Sequence, residues 1–519
     1  MTEQGGAEPD ETLSATSASD ESRPSVWRYA MASRAHVVID AADYFELMRD
    51  TMCNARQRIF LIGWDFDTRI LLSAGRRWWH VGRRQRFPAR LGSFILWLAH
   101  HTPGLEVRLL KWNLSLFKSL FRGTMIVDLL RWASSKSIRF KFDSAHPIGC
   151  SHHQKIVVID DKLAVCGGID MTSDRWDTRE HRHHDPRRKR STGGRYGPWH
   201  DMTMMMEGNV AEALAELGRD RWKAAGGGEM APCRPQEQSP WPEKLKAEFE
   251  NVEIGIARTR AEWGDCGQVS EIEQLFVEQI ARAKRFVYAE TQYFASRRIA
   301  EAICQRLAEP DPPEILIINP ETADGWLEQV AMDSARAELV RAVEAVDHKR
   351  RFRIFVPYTS GGEAIYVHAK MTIVDDEIVR VGSANMNNRS MGLDSECDVF
   401  IDAARPANGH VGPIITGLRH SLLAEHCGID EQEIAPLLDA HGSMAAMIDA
   451  LPRRGKHLRE LVLPELNESE RALADSAVLD PERPGELFEP MERRGLFRRR
   501  GLLRKPGTWA RRRAGRRIA

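Results

Sequence analysis

Apolar residues recur along the chain with two periods, one typical of amphipathic helices and one typical of buried strands. In the first third of the chain the two patterns alternate from residue 40 to residue 142. Strands that alternate with helices favour an α/β sheet. The helical patterns are Asp40–Cys53, Ser93–His100 and Thr124–Ser134, and the strand-like runs are Arg58–Trp64, Glu106–Trp112 and Ile138–Phe142.

The same order of patterns returns between residues 271 and 356. Because helix and strand alternate in the same sequence as before, the repetition predicts two homologous α/β lobes related by pseudo-two-fold symmetry. The helical patterns are Glu271–Ala283, Arg297–Leu307 and Asp333–Val346, and the strand-like runs are Arg285–Glu290, Glu314–Ile318 and Phe352–Val356.

Composition shifts mark the parts outside the lobes. Residues 1–24 are acidic and rich in small polar residues, which predicts a disordered tail. The Gly- and Pro-rich stretch Gly226–Pro242 is the predicted connection between the lobes. Beyond about Ile401 the pattern becomes helical, with predicted helices at Gly417–His426, Glu431–His441 and Ser443–Leu451. We therefore predict an acidic tail at 1–24, a first lobe at 25–228, a second lobe at 229–404, a helical extension at 405–490 and a basic tail at 491–519.

One chemical motif occurs once in each lobe. Both copies follow the pattern HxKxxxxD, with a Gly-Gly or Gly-Ser pair and an Asp or Asn further on, and the copies lie 215 residues apart. A single HxK has no diagnostic value, but two copies that match over a long stretch indicate an internal duplication. The copies are His153, Lys155 and Asp160 in residues 151–170, and His368, Lys370 and Asp375 in residues 367–385.

The His and Lys of each copy lie two positions apart, just before a β-branched run and an Asp-Asp turn typical of a hairpin. Side chains two apart on a strand project to the same side. An imidazole beside an ammonium is a poor pair to bury, because an unpaired Lys is costly in a core. The pattern therefore predicts that each pair faces an anion.

The duplicated motif resembles that of the phospholipase D superfamily, and the resemblance covers about residues 55–400. It implies the phospholipase D fold for the two lobes and a shared phosphodiesterase site between them. Several further stretches resemble the phosphatidylcholine-type phospholipase D branch, namely Ile62–Arg69, Ser151–Lys155, Pro198–Asp201, Glu290–Phe294 and Asn387–Glu396.

The resemblance implies that one imidazole attacks phosphorus to form a phosphohistidine while the other transfers protons. It implies that His153 is the nucleophile and His368 the general acid and base, although the residues alone are nearly symmetric. His152 precedes His153, but the spacing to Lys155 selects His153. Lys155 and Lys370 are expected to neutralise the phosphate oxygens.

Four carboxylates complete the expected site. Asp201 and Glu396 follow the motifs at comparable places, and we expect them to hold the histidine rings by their other nitrogen. Asp160 and Asp375 are counted with the catalytic motif, but they fall in hairpin turns and are expected to be structural.

Three further residues are candidate substrate contacts. Asn385 and Ser383 follow the second motif, and the amide of Asn385 is a suitable donor to a phosphate oxygen. Asp170 stands at the matching place after the first motif. Its carboxylate would repel a phosphate, so we expect it to orient Lys155 instead.

Composition restricts the class of protein. At 519 residues, with 42% hydrophobic and 29% charged residues, the chain is an ordinary globular protein of two or more domains. Its eight cysteines show no CxxC pairing, which favours free thiols in a reducing compartment. No basic and apolar leader is visible at the start, and the apolar runs are too short to span a bilayer. We expect a cytoplasmic protein, peripheral to the inner face of the membrane.

Two features outside the motifs leave alternatives open. The basic run Arg182–Arg195 either borders the cleft or forms a surface insertion. The overlapping sequence His181–His184 (HRHH) is more typical of a solvated basic loop than of a metal site. Aromatic residues after matching strands either line the entrance or belong to the core. They are Trp64 and Phe66 in the first lobe, which flank Asp65, and Tyr293 and Phe294 in the second.

The net charge is zero, but the last 27 residues carry twelve Arg or Lys and no acidic residue. Interspersed Leu, Phe and Trp favour docking of this tail on an anionic membrane over binding of nucleic acid or a partner protein.

We therefore expect an enzyme that releases phosphatidic acid and a head-group alcohol from glycerophospholipids, without metal or other cofactor and without calcium dependence. Transfer to alcohols in place of water is a second expected reaction. The alternatives are a cardiolipin-synthase-like phosphatidyltransferase, a nuclease, and a non-catalytic binding scaffold.

Overall fold

The computed structural model describes residues 24–72, 87–112, 125–323 and 326–463. Within these ranges a sixteen-stranded sheet runs through the whole molecule, and two short strands pair with each other beside it. The strands are β1 Arg28–Ile39, β2 Arg58–Gly63, β3 Glu106–Trp112, β4 Ile138–Asp143, β5 Ile156–Ile159, β6 Leu163–Gly167, β7 Trp199–His200, β8 Met202–Glu207, β9 Phe249–Arg260, β10 Val269–Ser270, β11 Phe286–Thr291, β12 Glu314–Ile318, β13 Phe352–Tyr358, β14 Tyr366–Val367, β15 Lys370–Val374, β16 Ile378–Gly382, β17 Glu396–Asp402 and β18 His457–Glu460.

Eleven α-helices accompany these strands in the described ranges. They are α1 Ala41–Asn54, α2 Leu91–His101, α3 Met125–Ala133, α4 Asn209–Ala224, α5 Glu271–Arg282, α6 Arg297–Leu307, α7 Trp326–Val346, α8 Asn388–Gly392, α9 Gly412–Cys427, α10 Glu431–His441 and α11 Met444–Ala450.

The sheet is symmetric about its centre, where β1 pairs antiparallel with β9. From β1 the order outward is β8, β6, β5, β2, β3, β4, and from β9 it is β17, β16, β15, β11, β12, β13. Each strand of the first series has its counterpart in the second, and β18 extends the second edge. The predicted α/β fold with two homologous, pseudo-two-fold-related lobes is confirmed.

The helices repeat in the same way. Along the chain from β1 and from β9, helices α1 to α3 of the first lobe correspond to α5 to α7 of the second. Helix α4, which follows β8, corresponds to α9, which follows β17. The repeated unit therefore continues through Cys427, past residue 404, where the sequence places the end of the second lobe. The predicted domain boundaries themselves remain predictions.

Central strands are buried on both faces, which is why they appear in the sequence as continuous apolar runs. All six residues of β11 are buried, as are all five of β12. Helices α4 and α9 cover one face of the sheet, and most of the other helices cover the opposite face. The site of the motifs lies between the lobes, where the two halves of the sheet meet.

The long strands β1 and β9 do not appear among the sequence predictions. In the part of each strand where β1 and β9 pair, buried and exposed positions follow each other irregularly. Charged side chains such as Arg28, Arg34 and Glu253 lie in this part. They are held by pairing with each other over seven residue pairs, a long-range contact that leaves no local period.

The predicted linker is packed against the first lobe. The Arg58 guanidinium donates to the carbonyl of Ala231 at 2.8 Å, and the Cys233 N–H donates to Asp161 at 2.9 Å. Trp241 is buried in the core of the first lobe. The segment therefore connects the lobes as an ordered strap.

The predicted acidic and basic tails lie outside the described residues, apart from residue 24. Within the described ranges, no helix combines the length and the apolar character needed to cross a membrane.

The motif aspartates act as structural clamps in both lobes. Asp375, in the turn after β15, accepts hydrogen bonds from the backbone N–H groups of Lys284, Arg285 and Phe286 at 2.6–2.8 Å. Asp160 does the same for residues 56–58 at 2.6–2.7 Å. Each thereby fixes the start of the neighbouring antiparallel strand, β2 or β11, and neither carboxylate is available for catalysis.

Replacing Asp375 with Ala should therefore destabilise the fold, because three backbone donors lose a charged acceptor. We expect the free energy of unfolding to fall by about 3 kcal/mol, measured by chemical denaturation. Asp265→Ala, at an exposed position, is the control and should change little. A stability equal to the parent's would contradict the clamp.

Candidate active site

Each motif lies at the entrance to a hairpin that packs against the first parallel strand of its lobe. Lys155 immediately precedes β5, which pairs antiparallel with β2, and Lys370 opens β15, which pairs antiparallel with β11. Because the lobes are related by symmetry, these two hairpins bring the motifs to the same cleft.

Backbone hydrogen bonds join each motif to the opposite lobe. The His153 N–H donates to the carbonyl of Ser395 at 2.9 Å, and the His368 N–H donates to the carbonyl of His200 at 2.7 Å. The strands β7 and β14 pair with each other beside the site. The cleft is thus closed at its base by reciprocal contacts.

The imidazoles are held by carboxylates that are exchanged between lobes. His153 Nδ1 lies 3.0 Å from both carboxylate oxygens of Glu396, and His368 Nδ1 lies 2.7 Å from Asp201 Oδ2. The expected contacts are present, and the carboxylate comes in each case from the other half of the molecule. With Nδ1 engaged, Nε2 is the nitrogen left to each ring for chemistry.

The two lysines are buried beside the imidazoles. Lys155 Nζ donates to the carbonyl of His153 at 2.8 Å and lies 3.6 Å from Asp170 Oδ2. Lys370 Nζ donates to Gln292 Oε1 at 3.1 Å and to the carbonyl of His368. The ion pair agrees with the expectation that Asp170 orients Lys155.

The charges of this cleft act on one another. Burial, followed by the charges of Lys155 and Lys370, holds the pKa of His153 well below its ordinary value. The pKa of His368 is lowered by burial and then by Lys370, and more weakly by Lys155 and by His153 itself. The two motif histidines therefore share one electrostatic environment, as a single site requires.

The pKa values of the groups around the imidazoles are shifted as well. Burial lowers the pKa of Lys370 to about 7, and it raises the pKa of Asp201 to about 7 and that of Glu396 to about 8. In each case burial favours the neutral form of the side chain, because a charged form is costly in a buried site. An anion between the lysines would favour their charged forms and raise the pKa of the imidazoles.

Two of the candidate substrate contacts, Asn385 and Ser383, differ in whether their side chains already have hydrogen-bond partners. Asn385 is buried near the second motif, and its Oδ1 has no hydrogen-bond partner within the described structure. Ser383 is fully buried, and its hydroxyl donates to Glu396 Oε2 and accepts from the Cys397 N–H at 3.0 Å. The prediction that Ser383 contacts substrate is therefore wrong, because its hydroxyl is used to hold Glu396.

The first glycine of each Gly-Gly or Gly-Ser pair allows two strands to approach. A Cβ on Gly167 would lie 2.4 Å from the Cα of Thr203, and one on Gly382 would lie 2.6 Å from the Cα of Asp398. These contacts hold β6 against β8 and β16 against β17. Asp201 lies just before β8 and Glu396 opens β17, so the glycines fix the positions of both carboxylates in the sheet.

The aromatic residues after the strands divide between core and cleft. Phe66 and Phe294 are buried in the core. Trp64 stacks on Trp112 and meets the His153 ring edge-on at 6.2 Å between centroids. Tyr293 accepts a hydrogen bond from Gln292, the residue that also binds Lys370.

Arg175 is a candidate site residue that the sequence analysis does not predict. Its guanidinium lies 4.1 Å from the ring of Trp199, which itself lies 5.2 Å from the His368 ring. The charge of Arg175 lowers the pKa of His368. Trp199 belongs to the recognised PWHD stretch, whereas no spacing rule points to Arg175.

The basic run after the first motif is folded into the protein at several points. His181 and Arg188 are buried, and Arg188 lies 3.0 Å from the buried Asp177. His183 contacts Thr359 of the second lobe at 3.2 Å. The expectation of a solvated loop is therefore wrong for these positions, because buried acidic partners draw them inward, while Arg182 is exposed.

Two family models match the chain, one described as phospholipase D over residues 51–258 and one as cardiolipin synthase, PLD-like domain, over residues 276–411. Phospholipase D alpha 1 of Carica papaya is 24% identical over 527 residues, with 75% of this chain and 64% of that protein covered. The protein of the same name from Ricinus communis is 26% identical over 408 residues, with 55% and 50% covered. The chain thus spans between half and just under two thirds of these relatives.

The crystal structure of phosphatidylserine synthase from Haemophilus influenzae Rd KW20 has the same fold, with a TM-score of 0.52 at 11% identity over 81% of this chain and 96% of that one. The symmetric sheet and the paired motifs define a protein with a single site built from two homologous halves. The chain belongs to the phospholipase D superfamily, whose models match both halves.

A small anion should bind in this cleft, because two buried ammonium groups face it. Inorganic phosphate should raise the thermal unfolding midpoint, with stabilisation of about 1.4 kcal/mol at ten times its dissociation constant. Lys155→Met should abolish the effect, whereas Lys136→Met, at an exposed position, should retain it. An equal rise in both variants would place the phosphate elsewhere.

Proposed function

We propose that the protein is a phospholipase D-type phosphodiesterase that hydrolyses glycerophospholipids to phosphatidic acid and a head-group alcohol through a covalent phosphohistidine. The observation that carries this proposal is the meeting of two His–Lys pairs in one cleft, each imidazole held at Nδ1 by a carboxylate of the other lobe. Binding alone requires neither the second imidazole nor its carboxylate.

In the first step the lone pair of His153 Nε2 attacks phosphorus, and the bond from phosphorus to the head-group oxygen breaks. The leaving oxygen takes a proton from His368 Nε2 and departs as the alcohol. The ring of His153 gains positive charge as the new bond forms, and Glu396 at Nδ1 stabilises it. Lys155 and Lys370 neutralise the non-bridging oxygens.

In the second step His368, now neutral, takes a proton from water as its oxygen attacks phosphorus. The bond between phosphorus and His153 breaks, which releases phosphatidic acid and restores both imidazoles. An alcohol in place of water gives a new phosphodiester by the same route, so transphosphatidylation is the second proposed reaction.

The substrate class is supported by the relatives and by exposed apolar side chains of the first lobe. The curated relatives above are named phospholipase D alpha 1. Exposed apolar side chains lie on α3, namely Val127 and Leu130, and on the segment just before the first motif, at Ile148. Such side chains suit a lipid surface better than a polynucleotide.

A cardiolipin-synthase-like phosphatidyltransferase is the second candidate, favoured by the family model that matches residues 276–411. It would use the same half-reactions, with a lipid hydroxyl as the acceptor. For either enzyme we propose peripheral binding to the inner, anionic membrane face through the basic tail 491–519.

Substitution of each motif histidine should block turnover, but the two substitutions should block different steps. His153→Ala should lower hydrolysis of phosphatidylcholine vesicles by about 10³-fold or more and form no covalent adduct. His368→Ala should also be slow, but it should accumulate a phosphatidyl adduct on His153 with a substrate whose leaving group needs no proton. Mass spectrometry should detect this adduct after quenching in alkaline denaturant, where the phosphorus–nitrogen bond survives.

The exposed His184 provides the control, and His184→Ala should keep parental turnover. Turnover retained by His153→Ala would defeat the proposed nucleophile. Cleavage of single-stranded DNA by the parent, with no lipid turnover, would replace the lipid assignment with a nuclease.

Glu396→Gln should lower kcat about 100-fold with little change in KM. The glutamine can still accept a hydrogen bond from Nδ1, but it cannot compensate the charge that develops on His153. Glu301→Gln, on the exposed face of α6, is the matched control. A change in KM alone would show that Glu396 affects binding and leaves the chemical step untouched.

A further inference from the structure

A second group of buried polar side chains lies directly behind the proposed active site. It consists of Asp40 at the end of β1, His181 in the loop after the first motif, His200 in β7 and Glu425 in α9. Their side chains are all 3% exposed or less. One ligand atom from each lies within 4.8 Å of the others.

Both histidines are held by carboxylates on the side away from this group. His181 Nδ1 lies 3.0 Å from Asp177 Oδ2, and His200 Nε2 lies 2.7 Å from Glu290 Oε2. Metal-binding histidines are oriented in this way, by a hydrogen bond from the second ring nitrogen to a carboxylate. The two remaining nitrogens point into one space.

Four nitrogen–oxygen separations around that space, which involve both oxygens of Asp40, are close to those of a tetrahedral ligand set. His181 Nε2 lies 3.1 Å from Glu425 Oε1 and 3.4 Å from Asp40 Oδ2. His200 Nδ1 lies 3.1 Å from Glu425 Oε1 and 3.2 Å from Asp40 Oδ1. Ligands about 2.0–2.1 Å from a tetrahedral ion lie about 3.3–3.4 Å apart.

Hydrogen bonds do not account for all of these atoms. Asp40 Oδ2 and His200 Nδ1 are buried and make no hydrogen bond within the described structure, in spite of the short distances around them. Buried polar atoms without partners are rare in folded proteins. Asp40 Oδ2 lies 3.4 Å from His181 Nε2, and His200 Nδ1 lies 3.1 Å from Glu425 Oε1, so one cation bound between these groups would satisfy both atoms.

We propose that Asp40, His181, His200 and Glu425 bind one zinc ion. Two carboxylates balance the charge of a divalent cation, so the buried site is neutral with both imidazoles uncharged. Nitrogen ligands favour zinc over calcium or magnesium, which prefer oxygen. The competing arrangement places a proton on each imidazole and no metal.

The zinc ion has a structural role, outside the reacting groups. Asp40 and Asp201 are joined by two hydrogen bonds. The Asp40 N–H donates to the Asp201 carbonyl at 2.8 Å, and the Asp201 N–H donates to the Asp40 side-chain oxygen Oδ1 at 3.1 Å. The ion would thus fasten α9, in the second lobe, to the residue that holds His368.

The test is the metal content of the full chain, purified without chelator and measured by inductively coupled plasma mass spectrometry. We expect about one equivalent of zinc, lost in His181→Ala and retained in His184→Ala, where the neighbouring histidine is exposed. Cobalt added to chelator-treated protein should give the visible absorption of a tetrahedral nitrogen and oxygen site.

Should His181→Ala fail to fold, the parent protein still decides the question. Removal of zinc by a chelator should lower its thermal unfolding midpoint, and added zinc should restore it. A chain that holds no zinc as purified and takes up neither zinc nor cobalt would overturn the proposal. The four side chains would then be a buried ion-pair cluster with protonated histidines. Neither result depends on phospholipid hydrolysis.

Discussion

The hydrogen bonds that cross between the lobes, from His153 to Glu396 and from His368 to Asp201, are the constraint on which the site depends. A histidine can keep Nε2 ready for chemistry only if Nδ1 is fixed, and here neither lobe fixes its own. The consequence is that a lobe by itself has an unoriented imidazole and a buried carboxylate without its partner. The proposed chemistry therefore needs both lobes.

This exchange explains features that are remote from phosphorus. Gly167 and Gly382 let the strands that position Asp201 and Glu396 lie close to the motif hairpins. Asp160 and Asp375 fix those hairpins to the neighbouring strands. The motif thus contains both the proposed reacting residues and the residues that fix their positions in the sheet.

Much of this architecture was predictable because its local signals are strong. The buried strands are continuous apolar runs, and the paired HxK motifs identified the four residues at the centre. The carboxylates were predicted as ring holders, but their exchange between lobes was not, because it depends on how the β1–β9 junction joins the halves. That junction has no local period, and Arg175 and the buried His181 likewise depend on partners distant in sequence.

The electrostatics of the cleft follow from its burial. Burial, and then the neighbouring lysine charges, hold the pKa of both imidazoles well below the ordinary value, and the neutral form suits a nucleophile but not a general acid. A phosphodiester supplies the missing negative charge, so the substrate itself favours the protonated state that its leaving group requires. A neutral molecule of the same shape would leave His368 unprotonated. A preference for phosphodiesters would therefore arise from the protonation state of His368 as well as from contacts with the substrate.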